Sequence, residues 1–429
     1  MVRGGAPSGS SGRPAWYTKR VPSESEGDPV SPTPRTATLF HDVRPLGGPA
    51  GDLIAVDGVL VAEVPEGASV ERVDGGGRLA LPTLVDAHIH PDKTSWGEPW
   101  YRRRPAGGIA EYVAGDVDLA RSLPTPVDER ALRLMSHAAA LGTRAMRAHA
   151  DVAPAYGLAG VEAVARAAAK LAGIVDVELV AFPQHGVVRE PGAAELLAEA
   201  AASGLVSHIG GIDPTGFDAT GGRDGDQLGL VFGLAEKHGL GLDIHLHDRG
   251  EPGLAVIRDI AARTRAAGLR GRVAVAHAFA VAGLAGRELD ELADLLAESG
   301  VALTTVALGE TTILPFRRLA ERGVTVGLGS DGVRDSWSPY GDADMLHRAW
   351  LAGWALDARL DEELEACFAI AADGGAALMG LPAADLRPGS PADFMLVEGE
   401  CLPQVVVDLP RRDLVVRAGR VVARDGRLV

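Results

Sequence analysis

Leu84-Val85-Asp86-Ala87-His88-Ile89-His90 decides how the chain is read: a short apolar run ending in two histidines two residues apart. Side chains at i and i+2 of a strand point the same way, so His88 and His90 would leave the end of one strand side by side. Seven further apolar runs follow it along the chain: Thr143–Asp151, Val177–Phe182, Leu205–Ile212, Gly241–Asp248, Val273–Phe279, Val301–Leu308 and Thr325–Asp331. Between them lie stretches rich in Ala, Leu, Glu and Arg with helical character, such as Gly160–Ala172 and Glu288–Ser299. Eight alternating units of this kind predict an α/β protein, a closed (β/α)8 TIM barrel rather than an open doubly wound sheet. No G-x-G-x-x-G follows a strand and opens a helix, which argues against a dinucleotide-binding fold.

The polar residues of these runs gather at their C-terminal ends, where barrel enzymes carry their chemistry. The fifth run ends Asp243-Ile244-His245-Leu246-His247-Asp248, the sixth reaches His277, and the eighth ends Gly329-Ser330-Asp331-Gly332. One such histidine is more often a core or surface group than a ligand. Four ligand-type positions at strand ends form a joint signal that chance does not readily produce. His88, His90, His245 and Asp331 can together hold one divalent metal ion and leave a position for water, which the metal would acidify to a pKa of about 7. Asp331 can also take a proton from that water, and His277 can orient it. The fourth run contains no lysine to bridge a second metal, which favours a single ion; zinc is the first expectation, with iron and manganese as alternatives.

The flanks of the chain differ from its middle. Asp52–Ala62 alternates around a turn and predicts a hairpin, and Ala392–Val397 with Leu414–Val422 is equally strand-like. Residues 38–80 and 388–429 are therefore expected to build one small β-sandwich domain from both termini, around a barrel spanning 81–387. Residues 1–37, rich in Gly, Pro and Ser, predict a disordered tail, with Trp16 and Tyr17 as its only candidates for docking. A net charge of −16 disfavours a nucleic-acid partner. No apolar run approaches the ~18 residues of a membrane span. Cys367 and Cys401 form no C-x-x-C pattern, so both thiols are expected to be buried and reduced. The N-terminal stretch lacks the apolar core of a signal peptide. The expectation is a cytoplasmic enzyme with a small-molecule substrate and no membrane partner, self-association into a homo-oligomer staying open.

The motifs resemble the amidohydrolase superfamily, and within it the cytosine deaminase branch, over most of the chain from about Leu53 to Val422. The resemblance is carried by Pro82–Thr94, Arg147–Val152, Ala181-Phe182-Pro183-Gln184, Asp243-Ile244-His245, the His277 segment and Gly329–Gly341, in which V-x-D-x-W-x-P-x-G follows the aspartate. N-isopropylammelide amidohydrolase is a similar relative. The resemblance implies the same ligand set, His277 assisting the water, and Gln184 bonding the amide-like edge of a heterocycle. Where the branch has H-x-x-E on the fifth strand, this chain has Asp248, one methylene shorter, with His247 and Glu251 as substitutes. Where cytosine deaminases carry a second acid after the metal aspartate, this chain has Gly332. Both departures point away from cytosine toward a larger or differently substituted ring.

The implied activity is a metal-dependent hydrolytic deaminase: water activated by the metal attacks a ring carbon, Asp248 relays a proton and ammonia leaves. The alternatives are cleavage of a cyclic or linear amide or of an N-alkylamine, and a barrel that has lost catalysis and serves as a scaffold. Lys93 could bind an acidic substrate group or sit in a structural ion pair. Trp337, with Trp96 and Trp100, could roof a flat ring or simply pack. His185 and His208 could line the pocket, whereas His137, His238 and His347 are expected on solvent-facing helix or loop positions.

Overall fold

The computed structural model describes residues 36–221 and 226–429. Apart from Thr36 and Ala37, the expected tail with Trp16 and Tyr17 lies outside them. The first four strands are β1 (Thr36–Pro45), β2 (Gly51–Val56), β3 (Val59–Val61) and β4 (Ser69–Pro82). The barrel strands are β5 (Leu84–Ile89), β6 (Thr143–Asp151), β7 (Asp176–Phe182), β8 (His208–Ile212), β9 (Gly241–His245), β10 (Val273–Ala276), β11 (Val301–Thr305) and β12 (Val326–Leu328). The last four are β13 (Phe394–Val397), β14 (Arg412–Arg417), β15 (Arg420–Arg424) and β16 (Arg427–Leu428).

Strands β5 to β12 form one eight-stranded sheet in strict sequence order, every neighbouring pair parallel. The ring closes at its mouth, where Asp331 bridges Ile89 and the Asp331 amide donates to the His88 carbonyl at 2.8 Å. Close approach makes this seam workable: a Cβ on Gly329 would stand 2.5 Å from the His88 Cβ, so only glycine lets the eighth strand come this near the first. The closure brings two candidate ligands, 243 residues apart in sequence, to adjacent positions.

Helices wrap the sheet as the sequence patterning predicts. In the helix Ala159–Lys170, Val161, Val164, Ala167 and Ala168 are buried, a stripe of helical period against the sheet. Among the described residues no helix is long and apolar enough to cross a membrane.

The termini make the second eight-stranded sheet, in the order β16-β15-β14-β13-β4-β1-β2-β3, a sandwich-like unit with its own core. The β2–β3 hairpin turns on Asp57-Gly58, both with positive φ (51° and 83°), as tight two-residue turns require. Phe40 and Phe394, one from each end of the chain, meet edge to face at 4.8 Å in that core. Only Thr83 separates β4 from β5, so the two units join without a linker. Both cysteines are free; Cys367 is buried as expected, but Cys401 is exposed, because it precedes a short surface helix.

Several barrel strands stop short of the apolar runs that foretell them. β9 ends at His245 rather than Asp248, β10 at Ala276, and β12 at Leu328 rather than Asp331. The backbone turns out of extended geometry just beyond these ends. Asp213, His277, Ala278 and Asp331 all adopt positive φ, at 36°, 67°, 46° and 60°. Left-handed backbone in non-glycine residues costs about 1–3 kcal/mol each, and here it clusters around one cavity.

Candidate active site

Three imidazoles and one carboxylate meet at the barrel mouth. His88 and His90 come from β5 and the residue after it, His245 from the end of β9, and Asp331 from the turn after β12. His90 Nε2 is 3.2 Å from both His88 Nε2 and His245 Nε2, and Asp331 Oδ1 is 3.5 Å from His88 Nε2 and His90 Nε2. Donors about 2.1 Å from a common tetrahedral centre would be separated by about 3.4 Å. Three ring nitrogens turned on one another satisfy no hydrogen-bonding scheme by themselves. The Nδ1 atoms of His88, His90 and His245 likewise lack partners among the described residues. Burial first, and then the neighbouring cationic and imidazole groups, hold His90 and His245 well below the usual histidine pKa, so both present lone pairs. Burial would raise Asp331, but the surrounding histidines outweigh it and keep the carboxylate ionised. The donor set and its spacing fit one divalent metal ion.

His149 on β6 was not singled out as a ligand. Its ring lies 4.1 Å from that of His88, and it completes an alternative cluster with His88 and His245. Its Nε2 is 3.4 Å from Asp243 Oδ1. Below this layer Arg147 donates to Glu178 Oε2 and to Asp243 Oδ2, both at 2.9 Å, a buried ion triad that braces β6, β7 and β9. Period-2 alternation explains the stacking, since Arg147 and His149 share one face of β6, as do Asp243 and His245 of β9.

The turn that carries Asp331 is held from both sides. The buried Asp86 carboxylate accepts from the amides of His88 (3.2 Å) and Ser330 (3.0 Å) and from the Ser330 hydroxyl. Burial raises Asp86 to about 6, against the pull of the Ser330 hydrogen bonds. Arg348 donates to the carbonyls of Ser330 and Val306.

On the cavity side stand His277 and His247, their rings stacked at 4.5 Å. Burial, then His247, lowers His277 well below the usual value, so it is neutral. His247 is anchored by Asp213, whose Oδ2 lies 2.8 Å from its Nδ1 and whose Oδ1 accepts from its amide at 2.6 Å. Asp248 is placed differently from the expectation. Its carboxylate turns toward the loop after β8, where Oδ2 accepts from Thr215 Oγ1 at 3.3 Å, and it does not line the cavity. The physical reason is that β9 ends at His245, so alternation no longer governs the side chain three residues on. Glu251 is also remote, paired with Arg258 on the surface. Asp213 carries the same signal as the other residues, for it directly follows the apolar run Leu205–Ile212.

The cavity above these groups has a volume of about 660 Å³, with an apolar wall that includes Phe182, Ile212, Phe279, Leu308 and Leu351. Gln184, Lys93 and Trp337 all line it. Lys93 is no free cation. It donates to Gln184 Oε1, lies 3.0 Å from Asp151 Oδ1 and 3.8 Å from Asp116 Oδ2. Burial would lower its pKa, but these carboxylates outweigh it and raise it. Trp337 stacks on Tyr112 at 4.7 Å. Trp96 instead stacks on His137 at 4.4 Å and Trp100 is exposed, so neither roofs the cavity. His185 and His208 lie off it too. His347, expected to face solvent, stands on the cavity rim with Nδ1 3.2 Å from Asp342 Oδ2.

Asp116, on the helix Ile109–Ser122, joins this recognition wall together. It accepts from Gln184 Nε2, from Trp337 Nε1 (2.8 Å) and from the Ser336 hydroxyl. Nothing in the sequence marks it, since an aspartate in mid-helix reads as a solvated surface group. Asp116→Asn should therefore raise KM by roughly 10-fold with little loss of bound metal, because hydrogen bonds to charged groups contribute about 1.5–3 kcal/mol. Steady-state kinetics paired with metal analysis checks this; an unchanged KM would reduce Asp116 to a packing residue.

Comparison with known proteins places this arrangement. Residues 71–429 match the sequence profile of the Amidohydrolase family. N-isopropylammelide isopropyl amidohydrolase of Pseudomonas sp. (strain ADP) is 29% identical over 370 residues, covering 85% of this chain and 91% of the relative. The crystal structure of N-isopropylammelide isopropylaminohydrolase from Burkholderia multivorans superposes with a TM-score of 0.84 at 37% identity, covering 92% of this chain and 100% of that one. That of 5-methylcytosine deaminase from Klebsiella pneumoniae shares the fold, with a TM-score of 0.76 at 23% identity over 90% of this chain and 97% of its own.

Proposed function

Since the chain belongs to the amidohydrolase family and is a hydrolase of carbon–nitrogen bonds, we propose that it displaces an amine from a ring carbon of an N-heterocycle, with water as nucleophile. The observation that carries this reading is the convergence of His88, His90, His245 and Asp331, at 3.2–3.5 Å, beneath a cavity walled by both apolar and hydrogen-bonding groups. A divalent metal ion held there supplies Lewis-acid charge and makes hydroxide available from water near neutral pH, at a pKa of about 7.

The chain's own residues do the rest. Asp331, ionised and turned toward the donors, holds the water and receives its first proton. Neutral His277 orients the water toward the ring carbon. His247, fixed by Asp213, delivers a proton to the departing nitrogen, the part first assigned to Asp248, and is reprotonated by the one Asp331 took from the water; without that proton an amide-like anion would be a very poor leaving group. Gln184, set by Lys93 and Asp116, bonds the N–H/C=O edge of the ring, and Trp337 covers its face. A cavity of about 660 Å³ leaves room for a ring larger than cytosine or for one that carries a substituent. The leaving group is ammonia, or an alkylamine as the name of the Burkholderia relative indicates for that enzyme. Zinc fits the nitrogen-rich donor set first, ahead of iron and manganese. Two free thiols suit a reducing, cytoplasmic setting.

The test is release of ammonia and of primary amine by the metal-loaded protein from aminopyrimidines, amino-triazines, their N-alkyl derivatives and pterins. Turnover of an amino- or alkylamino-substituted ring is expected. Hydrolysis of linear amides with no amine displaced from any ring would sink the proposal.

A further inference from the structure

Asp335 lines the cavity beside the turn that carries Asp331. It is 3% exposed, yet it lines the cavity wall with Trp337 and Gly332. Its two oxygens differ. Oδ1 is committed to its own turn, accepting from the amides of Trp337 at 2.9 Å and Ser338 at 2.8 Å. Oδ2 takes no protein hydrogen bond among the described residues. That oxygen occupies space a side chain would otherwise fill: a Cβ on Gly332 would lie 1.7 Å from Asp335 Oδ2. Gly332 has no positive φ, so its backbone would accept any residue, and the reason for glycine is steric. Removing the side chain next to Asp331 clears the place that the Asp335 carboxyl takes.

Facing the cavity and without a protein partner among the described residues, Oδ2 is available to a hydrogen-bonding group on a bound ring. We propose that Asp335 is a specificity-determining residue whose Oδ2 hydrogen-bonds the N–H/C=O edge of the bound heterocycle, delivered through the gap at Gly332. The proposal rests on the heterocycle reading above. Besides Gln184, it adds a second polar anchor next to the metal-side aspartate, so that the ring is held at two points of its edge while its face lies under Trp337. A ring with an oxo or N–H group at that edge is preferred over one bearing hydrogen or a methyl group there.

The alternative is that Asp335 only caps its turn. Asp335→Asn separates the two roles, since Oδ1 still accepts from both amides and only the Oδ2 position changes. A second pair of variants moves the group: Asp335→Ala removes it, and Asp335→Ala combined with Gly332→Asp returns a carboxylate to the same space from the neighbouring position. All three are compared with the wild-type protein, metal-loaded, for turnover of the heterocycle panel, for calorimetric binding of the same rings, and for metal content and melting temperature. Asp335→Asn is expected to lower kcat/KM and ring affinity by roughly 10- to 100-fold, with metal content kept. The double variant is expected to recover at least part of what Asp335→Ala loses. A change under about 2-fold in Asp335→Asn, or a double variant no better than Asp335→Ala, overturns the proposal. If the wild-type protein binds rings without turning them over, the affinities alone decide Asp335 while the reaction assigned above fails. If it neither binds nor converts any ring, both fall together.

Discussion

Replacing His245 by alanine should strip the metal site and lower turnover by at least about 10³-fold, because a bound metal ion supplies several kcal/mol of the barrier reduction and each ~1.4 kcal/mol is tenfold. His245 is chosen because its Nε2 lies 3.2 Å from that of His90 while its ring stacks on Phe182 at 3.9 Å. Alanine removes a donor without disturbing the turn at Asp331. Elemental analysis should find the metal content of the variant well below one ion per chain, and chelation of the wild-type protein should reproduce the loss reversibly. Full metal content with full activity in His245→Ala would mean that these four groups are not the ligand set, with the His88–His149–His245 cluster the next candidate.

The second large effect divides two adjacent residues. His247→Ala is expected to lower kcat by about 10²–10⁴-fold, the range for a positioned general acid or base, while Asp248→Asn should stay within about 3-fold. The argument is geometric. His247 stacks on His277 in the cavity and is held through Nδ1 by Asp213, whereas the Asp248 carboxylate faces Thr215 outside it. Pre-steady-state measurement of amine release, with metal content as control, tells a failed proton transfer from a damaged site. The opposite ranking would restore Asp248 to the role that its position in the sequence first suggested.

The contrast between these neighbours shows how far the sequence could be read. Within a strand the side chains alternate by a local rule, so the pairing of His88 with His90, and the placing of His245 at a strand end, followed from the one-dimensional pattern. Past the strand end that rule lapses. Asp248 lies three residues beyond His245, and its direction is set by the loop after β8, which no local pattern encodes. Asp213 was within reach of the rule that found the others, being the residue after a barrel run. Asp116 was not, because it belongs to a helix whose approach to Gln184 and Trp337 exists only in the closed structure. His347 faces solvent as its helix position suggests, with its side chain 39% exposed, and only the closed structure shows that it also stands on the rim of the mouth.

By itself the sequence determined the eight βα units, the small β-rich unit made from both termini, and the identity of the residues that could hold a metal, all of which depend on periodicity and residue chemistry. Only the tertiary structure decided which of those residues share a centre, that Lys93 is paired with aspartates on the cavity wall, and that Asp335 fills the room left by Gly332. Such contacts join residues far apart in the chain, and their geometry is fixed by how the first and eighth strands close the ring.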